Sequence, residues 1–380
     1  MARISFLGTA GYDPDCVQAA VDRHFALLDV RIPPEARVVV KPNLIMRAPP
    51  ERAATTHPAL VEAVVRRLQA MGVGEITIAD SPGGLYTPQI LAAAYETAGL
   101  TAVAERCGVR LNTACGSRPV RVEAGELCRE FDLIDPVAEA DFVVNLPKLK
   151  THCMTTLSCG IKNLFGCVPG LLKPQLHYRF PDGERFARML VDLSLLVKPG
   201  LTLVDAVEAM EGDGPTGGRR RFLGCTAAAA GMDFYALDLA LAGMIGLSPD
   251  RVPMLAEAVR RGLCPRDAAE VEVLGDPVPR VPDFRMPATK GLDFTGGLPG
   301  PLAALVRRMK PLLAPRPVID ARACVGCGRC AESCPAGTIL LEKGKARIDP
   351  SRCIHCFCCQ ELCPVRAVKI KTMPLFRFLS

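Results

Sequence analysis

The sequence predicts an α/β protein: a layered, mostly parallel sheet with flanking helices, followed by a small C-terminal α+β ferredoxin-like domain. Three observations lead there. Short apolar runs alternate with amphipathic segments through the first 275 residues, the pattern of parallel strands joined by crossover helices. Nine prolines crowd residues 276 to 317 and break that pattern. Beyond them lie nine of the chain's 18 cysteines, between Cys324 and Cys363. The division that follows is an α/β domain over 1–275, a Pro-rich connector over 276–315 and an iron–sulfur domain over 316–380. At 380 residues and 49% hydrophobic, with no Trp, the chain is long enough for two domains and a sizeable aliphatic core.

The elements follow in order. "RISFLG" reads as a strand and the segment near Cys16 to Val30 as a helix. "RVVVKPNL" is a second strand. "HPALVEAVVRRLQAMG" is a helix that Thr56 would cap, with Pro58 in its first turn and Gly72 stopping it. "EITIAD" is a strand, and "TPQILAAAYETAG" a helix ended by Gly99. "DFVVNL", "LTLVDAV" and "FLGCTAAAA" are strands, and "DFYALDLALAGMIG" a helix. The connector is mostly irregular, with one short helix at "LAALVRRMK" and its end near Ala314.

No apolar run reaches the roughly 18 residues of a membrane span, and the N-terminus lacks a signal-peptide core. The expectation is a cytoplasmic protein without a membrane span. The net charge of +6 lies wholly in residues 316–380, where eleven Lys/Arg face five Asp/Glu. Nucleic-acid binding is one use for such a patch. Anionic metal clusters in the same segment explain it better.

The tail contains "CVGCGRCAESCP" and "CIHCFCCQELCP", each C-x2-C-x2-C-x3-C-P. This is the bacterial two-cluster ferredoxin run, in which each fourth Cys ligates the other cluster. One [4Fe–4S] cluster is assigned to Cys324, Cys327, Cys330 and Cys363, the other to Cys353, Cys356, Cys359 and Cys334. Structural zinc would favour isolated C-x2-4-C pairs. Cys358 reads as a packed or free thiol rather than a ligand.

In the large domain, predicted strands end in polar groups: Lys41 and Asn43, Asp80, then Lys148, Lys150 and His152, then Asp205. Lys162, Asn163, Lys173 and His177 follow. Ligands of open parallel sheets bind at the carboxyl ends of strands, so these groups form a candidate anion site. Catalytic candidates are His152, Lys150 and Lys41; substrate-binding candidates are Lys148, Lys162, Asn163, Asn43, Asp80 and Asp205. Cys153, Cys159 and Cys167 match no cluster spacing and read as small buried hydrophobes. "GDGPTG" satisfies G-x-G-x-x-G at Gly212, Gly214 and Gly217, but the strand-to-helix context of a dinucleotide site is missing.

"VVVKPNL", "THPALVEAVV", "IADSPGG", "NLPKLKTH", "IKNLFGCVPG" and "AMEGDGPTGG" together resemble the domain-of-unknown-function family 362, across most of residues 1–275. That family is often fused to a ferredoxin-like pair of [4Fe–4S] clusters. The resemblance implies that Lys41, Asn43, Lys148, Lys150, His152, Lys162, Asn163 and Asp205 are shared polar positions, and it supplies no reaction. A more distant likeness to nickel-pincer lactate racemases rests on α/β architecture and Lys/His content alone.

The expected function is an oxygen-sensitive iron–sulfur oxidoreductase. Two [4Fe–4S] clusters would take electrons from a redox donor protein such as ferredoxin and pass them to an anionic small-molecule substrate, with a double bond as the candidate target. The alternatives are a non-catalytic electron-transfer subunit that docks a partner enzyme, and a metal- or cofactor-handling protein using His152, His177 and nearby thiols.

Overall fold

The computed structural model describes residues 1–290 and 315–371. Among the described residues there are sixteen strands: β1 (Arg3–Gly8), β2 (Arg37–Pro42), β3 (Glu75–Ile78), β4 (Arg110–Leu111), β5 (Ser117–Arg121), β6 (Glu130–Ile134), β7 (Phe142–Leu146), β8 (Lys148–His152), β9 (Thr156–Ser158), β10 (Leu201–Glu211), β11 (Arg219–Ala230), β12 (Glu272–Gly275), β13 (Arg316–Ile319), β14 (Ile339–Glu342), β15 (Lys345–Ile348) and β16 (Val368–Lys371). Ten of them form one sheet with a spine of β12-β1-β11-β10-β7-β2-β3-β4, and β8 and β9 branch from β10. Along the spine every pairing is parallel except those of β11, which runs against β1 and β10. The sequence-based expectation of a mostly parallel sheet with flanking helices therefore holds.

Two apolar layers cover the sheet. Helices Pro14–Leu27, Pro58–Ala70, Pro88–Thr97 and Leu100–Cys107 bury one face. Gly183–Val197, Phe234–Met244 and Pro253–Arg260 bury the other. Each helix of the first layer except the last carries Pro in its first turn, where the missing N–H costs no hydrogen bond. Asp13 caps the first through the amides of Asp15 and Cys16. The second is capped by His57, not by Thr56: the His57 ring accepts from the Ala59 amide at 3.2 Å. The Thr56 hydroxyl instead donates to the Leu146 carbonyl (2.6 Å) and accepts from the Asn43 amide (2.8 Å), tying β2 to β7. Gly72 and Gly99 end their helices with φ of +87° and +76°, a region other residues enter only at a cost.

One stretch departs from expectation. Residues 148–152 are not a loop after β7 but a strand in their own right. The eleven-residue β10 outruns β7 and offers its free edge to β8, pairing Asp205 with Lys148 and Met210 with Lys150. β9 then closes β8 from the other side, and all five side chains of β8 are buried. The connector also differs. Residues 276–287 lie along the large domain, with Phe284 buried and the Val281 amide donating to Met244. The helix expected at "LAALVRRMK" and the boundary near Ala314 lie outside the described residues.

The tail is a small α+β unit. Two antiparallel pairs, β13–β16 and β14–β15, frame the short helices Arg329–Glu332 and Cys358–Glu361. The second helix is clamped to the large domain by the "GDGPTG" loop. Thr216 donates to the Glu361 carbonyl (3.0 Å) and Gln360 Nε2 to the Asp213 carbonyl (2.8 Å). A Cβ at Gly217 would collide with Gln360, and one at Gly214 with the Thr151 carbonyl. Gly217 thus serves close approach to the tail, and Gly214 close backbone approach to β8 within the large domain.

At the β8–β10 junction Lys148 and Asp205 pair at 2.9 Å with both side chains buried, and the Tyr12 hydroxyl accepts from Lys148 (2.6 Å) while donating to Asp205 (2.7 Å). The His57 amide completes the carboxylate's shell at 2.9 Å, and its ring stacks on Tyr12 at 3.6 Å. Removing one partner of a buried pair strands the other charge, at a cost of about 3–5 kcal/mol. Urea unfolding should therefore show Lys148→Met destabilised by roughly that amount; a loss under about 0.5 kcal/mol would mean the pair is not structural.

Candidate functional site

The carboxyl ends of β2, β3 and β8 meet the ferredoxin-like unit at one cavity of about 60 Å³. Asn43, Asp80, His152, Lys162 and Asn163 line it from the large domain, with Ser81, Phe165, Lys173 and His177. Cys358, Glu361 and Leu362 line it from the tail. Two distant parts of the sequence thus build one site, and each supplies charge.

Below the lining, Lys41 is fully buried and pairs with Asp80 at 2.8 Å, whose second oxygen accepts from the Leu44 amide at 2.7 Å. Lys150 donates to Asn43 Oδ1 (2.5 Å) and the Ala54 carbonyl (2.8 Å). Asn43 in turn donates to Asn163 Oδ1 (2.9 Å), and Asn163 to Asn145 Oδ1 (2.8 Å), so the amide chain that holds Lys150 also fixes the cavity floor. Lys173 is saturated by oxygens of Ser81, Pro82 and Val168. Lys162 lies over the Phe165 ring at 4.8 Å and has no hydrogen-bond partner among the described residues. Burial disfavours the charged form of Lys150, Lys173 and Lys162. It pushes Lys150, with Lys162 nearby, down to about 7, pushes Lys173 down to about 7, and lowers Lys162 against the pull of Glu361.

The histidines are set for different tasks. His152 Nδ1 accepts from the amides of Met154 (3.1 Å) and Thr155 (3.4 Å), so the ring proton sits on Nε2. Nε2 lies 3.1 Å from Glu361 Oε1, but the carboxylate is off the N–H axis and neither atom has an aligned partner. Burial lowers the His152 pKa, while burial, opposed by Glu361, takes His177 to about 3. Burial alone would raise Glu361; His152 and Lys162 outweigh it and hold the carboxyl down at about 2. His177 stacks on Phe186 at 4.2 Å with Nδ1 unpartnered.

Buried polar atoms without partners are rare because each costs about 1–3 kcal/mol. Among the described residues nine side-chain atoms are in that state, and four belong to this cavity: Asp80 Oδ1, which has only its ion pair with Lys41, His152 Nε2, His177 Nδ1 and Glu361 Oε1. Three of the four face an opposite charge, Asp80 that of Lys41 and His152 and Glu361 each other, and His177 Nδ1 has no partner among the described residues. Lys148 and Asp205 stand apart from the cavity, satisfied by each other, Tyr12 and His57.

The tail cysteines fall around two further cavities. Cys324, Cys327, Cys330 and Cys363 line one; Cys334, Cys353, Cys356 and Cys359 line the other. Backbone amides of Ala346, Ala367 and Thr338 reach the sulfurs of Cys324 (3.4 Å), Cys363 (3.1 Å) and Cys334 (3.4 Å), and the Ala346 amide lowers the Cys324 thiol. Among the described residues no three His, Cys, Asp or Glu side chains converge tightly enough to hold a single metal ion. Cys358 lines both the second cysteine cavity and the ligand cavity.

Comparison with known proteins agrees with this division. A family model described as a domain of unknown function, DUF362, matches residues 38–243. The chain belongs to the DUF362 family. A 4Fe-4S dicluster domain model matches residues 316–364, so the DUF362 unit is fused to an iron–sulfur, electron-transfer module. A thylakoid-associated protein of Synechocystis sp. is 34% identical over 275 residues, covering 69% of this chain and 81% of that protein. Among solved structures, a Thermotoga maritima protein aligns with TM-score 0.37 at 12% identity, over 59% of this chain and 56% of that one. The lactate racemase apoprotein of Thermoanaerobacterium thermosaccharolyticum aligns with TM-score 0.38 at 14% identity, over 59% and 53%. The chain spans about half the length of those two. No helix among the described residues is long and apolar enough to cross a membrane.

In this DUF362 chain, sequence reasoning found the lysines, asparagines and His152 but missed Glu361, Leu362 and the cavity role of Cys358. Their one sequence signal is Glu361 itself, an acid set between two ligand-pattern cysteines in a basic tail. An anion in the cavity favours charged Lys150, whereas burial favours the neutral amine. Calorimetry should accordingly show affinity for a small anion such as acetate falling as pH rises through about 7, with proton uptake on binding. Lys150→Met should flatten that dependence, and an unchanged profile in the variant would remove Lys150 from the site.

Proposed function

We propose that this protein is an iron–sulfur reductase of small organic anions. The observation that carries the reading is the shared wall: Cys358 bounds both the cation-lined cavity and the second cysteine set. Electrons and substrate are thereby brought to one partition, an arrangement that a docking-only electron-transfer subunit would not need.

Cys324, Cys327, Cys330 and Cys363 would hold one [4Fe–4S] cluster, and Cys353, Cys356, Cys359 and Cys334 the other. When bound, the clusters supply single electrons from a donor protein such as ferredoxin. Lys162 takes the acid group, helped by His177 and Asn163. His152 carries its proton on Nε2, facing the cavity, and the Met154 and Thr155 amides hold the ring through Nδ1. Lys150, with its pKa near the working range, is suited to deliver a second proton. Lys41 acts from beneath by holding Asp80. Reduction of a carbon–carbon double bond conjugated to the acid balances: two electrons and two protons add across it, and two C–H bonds replace the π bond. Exposed Cys327 in an oxygen-labile ligand set fits a reducing, cytoplasmic setting.

Two outcomes test the reading. Iron analysis should give about eight irons per chain, falling to about four in Cys353→Ser; an unchanged value would contradict the ligand assignment. Under anaerobic turnover with reduced ferredoxin and a short enoate such as crotonate, Lys162→Met should raise KM about tenfold or more. His152→Ala should lower kcat by about 10²-fold or more. Unchanged rates in both variants would defeat the assigned roles.

A further inference from the structure

The ligand cavity, at about 60 Å³, holds an acid group and little more. Beside it lies a groove of about 250 Å³ between helix Pro88–Thr97 and the tail helix Arg329–Glu332. Gly83, Gly84 and Leu362 line both spaces. The Leu362 side chain rests on Gly83, close enough that a Cβ there would meet it at 2.9 Å. The partition between cavity and groove is thus the Gly83–Gly84 backbone with the Leu362 side chain packed on it.

The two spaces differ in chemistry. The groove wall is apolar at Met46, Leu85, Ile90 and Ala93. Leu85 and Ile90 remain 42% and 40% exposed, although large aliphatic side chains gain from cover. Of the cations at the groove, Arg47 is turned to Thr97 (2.9 Å), and Arg329 shares the lining with Glu332.

We propose that the ligand is an amphipathic monoacid, with its carboxylate in the cation cavity and an unbranched apolar chain running past Leu362 into the groove. This rests on the anion-site reading above and specifies its substrate class. Each methylene that enters the groove should add about fourfold in affinity.

The test is calorimetric binding of acetate, butyrate, hexanoate and octanoate to the anaerobic, iron-loaded protein at fixed pH and salt, with no turnover involved. Affinity should climb about fourfold per methylene until the groove is full. Ile90→Asp, at an exposed position, should flatten the series and leave acetate binding unchanged. Acetate binding with no gain from chain length would overturn the inference while leaving the anion site standing, as would a slope that survives Ile90→Asp. Absence of binding by every acid would overturn both. A chain-length slope without any reductase activity would uphold the ligand class and count against the redox reading alone.

Discussion

Burying ammonium groups is the constraint on which the rest of this structure depends. An unpaired ion removed from water costs several kcal/mol, so each buried amine needs an oxygen or a counter-charge. Lys148 has Asp205, Lys41 has Asp80, Lys173 has a cage of carbonyls and a hydroxyl, and Lys150 has an amide and a carbonyl oxygen. Lys162 is left facing the cavity, with the nearest opposing charge supplied from the far end of the chain by Glu361. Attachment of the tail and the electrostatics of the cavity are therefore one problem with one solution.

That solution explains features that look unrelated along the sequence. β10 is long because its extra residues support β8, and β8 exists to point lysines and His152 inward. Gly217 allows the loop to press on the helix that carries Gln360 and Glu361. Asn43 links the floor to Lys150, so the end of β2 is as much a part of the site as β8.

Much of this was legible in the sequence, and the limits have physical causes. Strands and helices with a clean period were readable, and so was the crossed cysteine pattern, because ligand spacing is local. Asn43, Asp80 and His152 were readable because strand ends of a parallel sheet converge; Lys162 and Asn163 reach the site from the short helix Gly160–Asn163. What escaped needed tertiary information. Lys148 looks equivalent to Lys150 in "PKLKTH", yet its register partner on β10 is an aspartate and that of Lys150 is Met210. Thr56 has the chemistry of a cap but is drawn to the Leu146 carbonyl. Glu361 belongs to the site only because the chain returns over about 200 residues to place it beside His152.

The central claim is that the cation cavity and the second cysteine set share a wall closely enough to sense each other. The most direct measurement is a redox titration of the anaerobic protein followed by electron paramagnetic resonance, with and without saturating butyrate. A bound anion disfavours adding an electron nearby, so one of the two cluster signals should move to lower potential, by tens of millivolts or more at an effective dielectric constant of about 20. The shift should vanish in Lys162→Met. Identical potentials with and without the acid, in protein shown to bind it, would contradict the account.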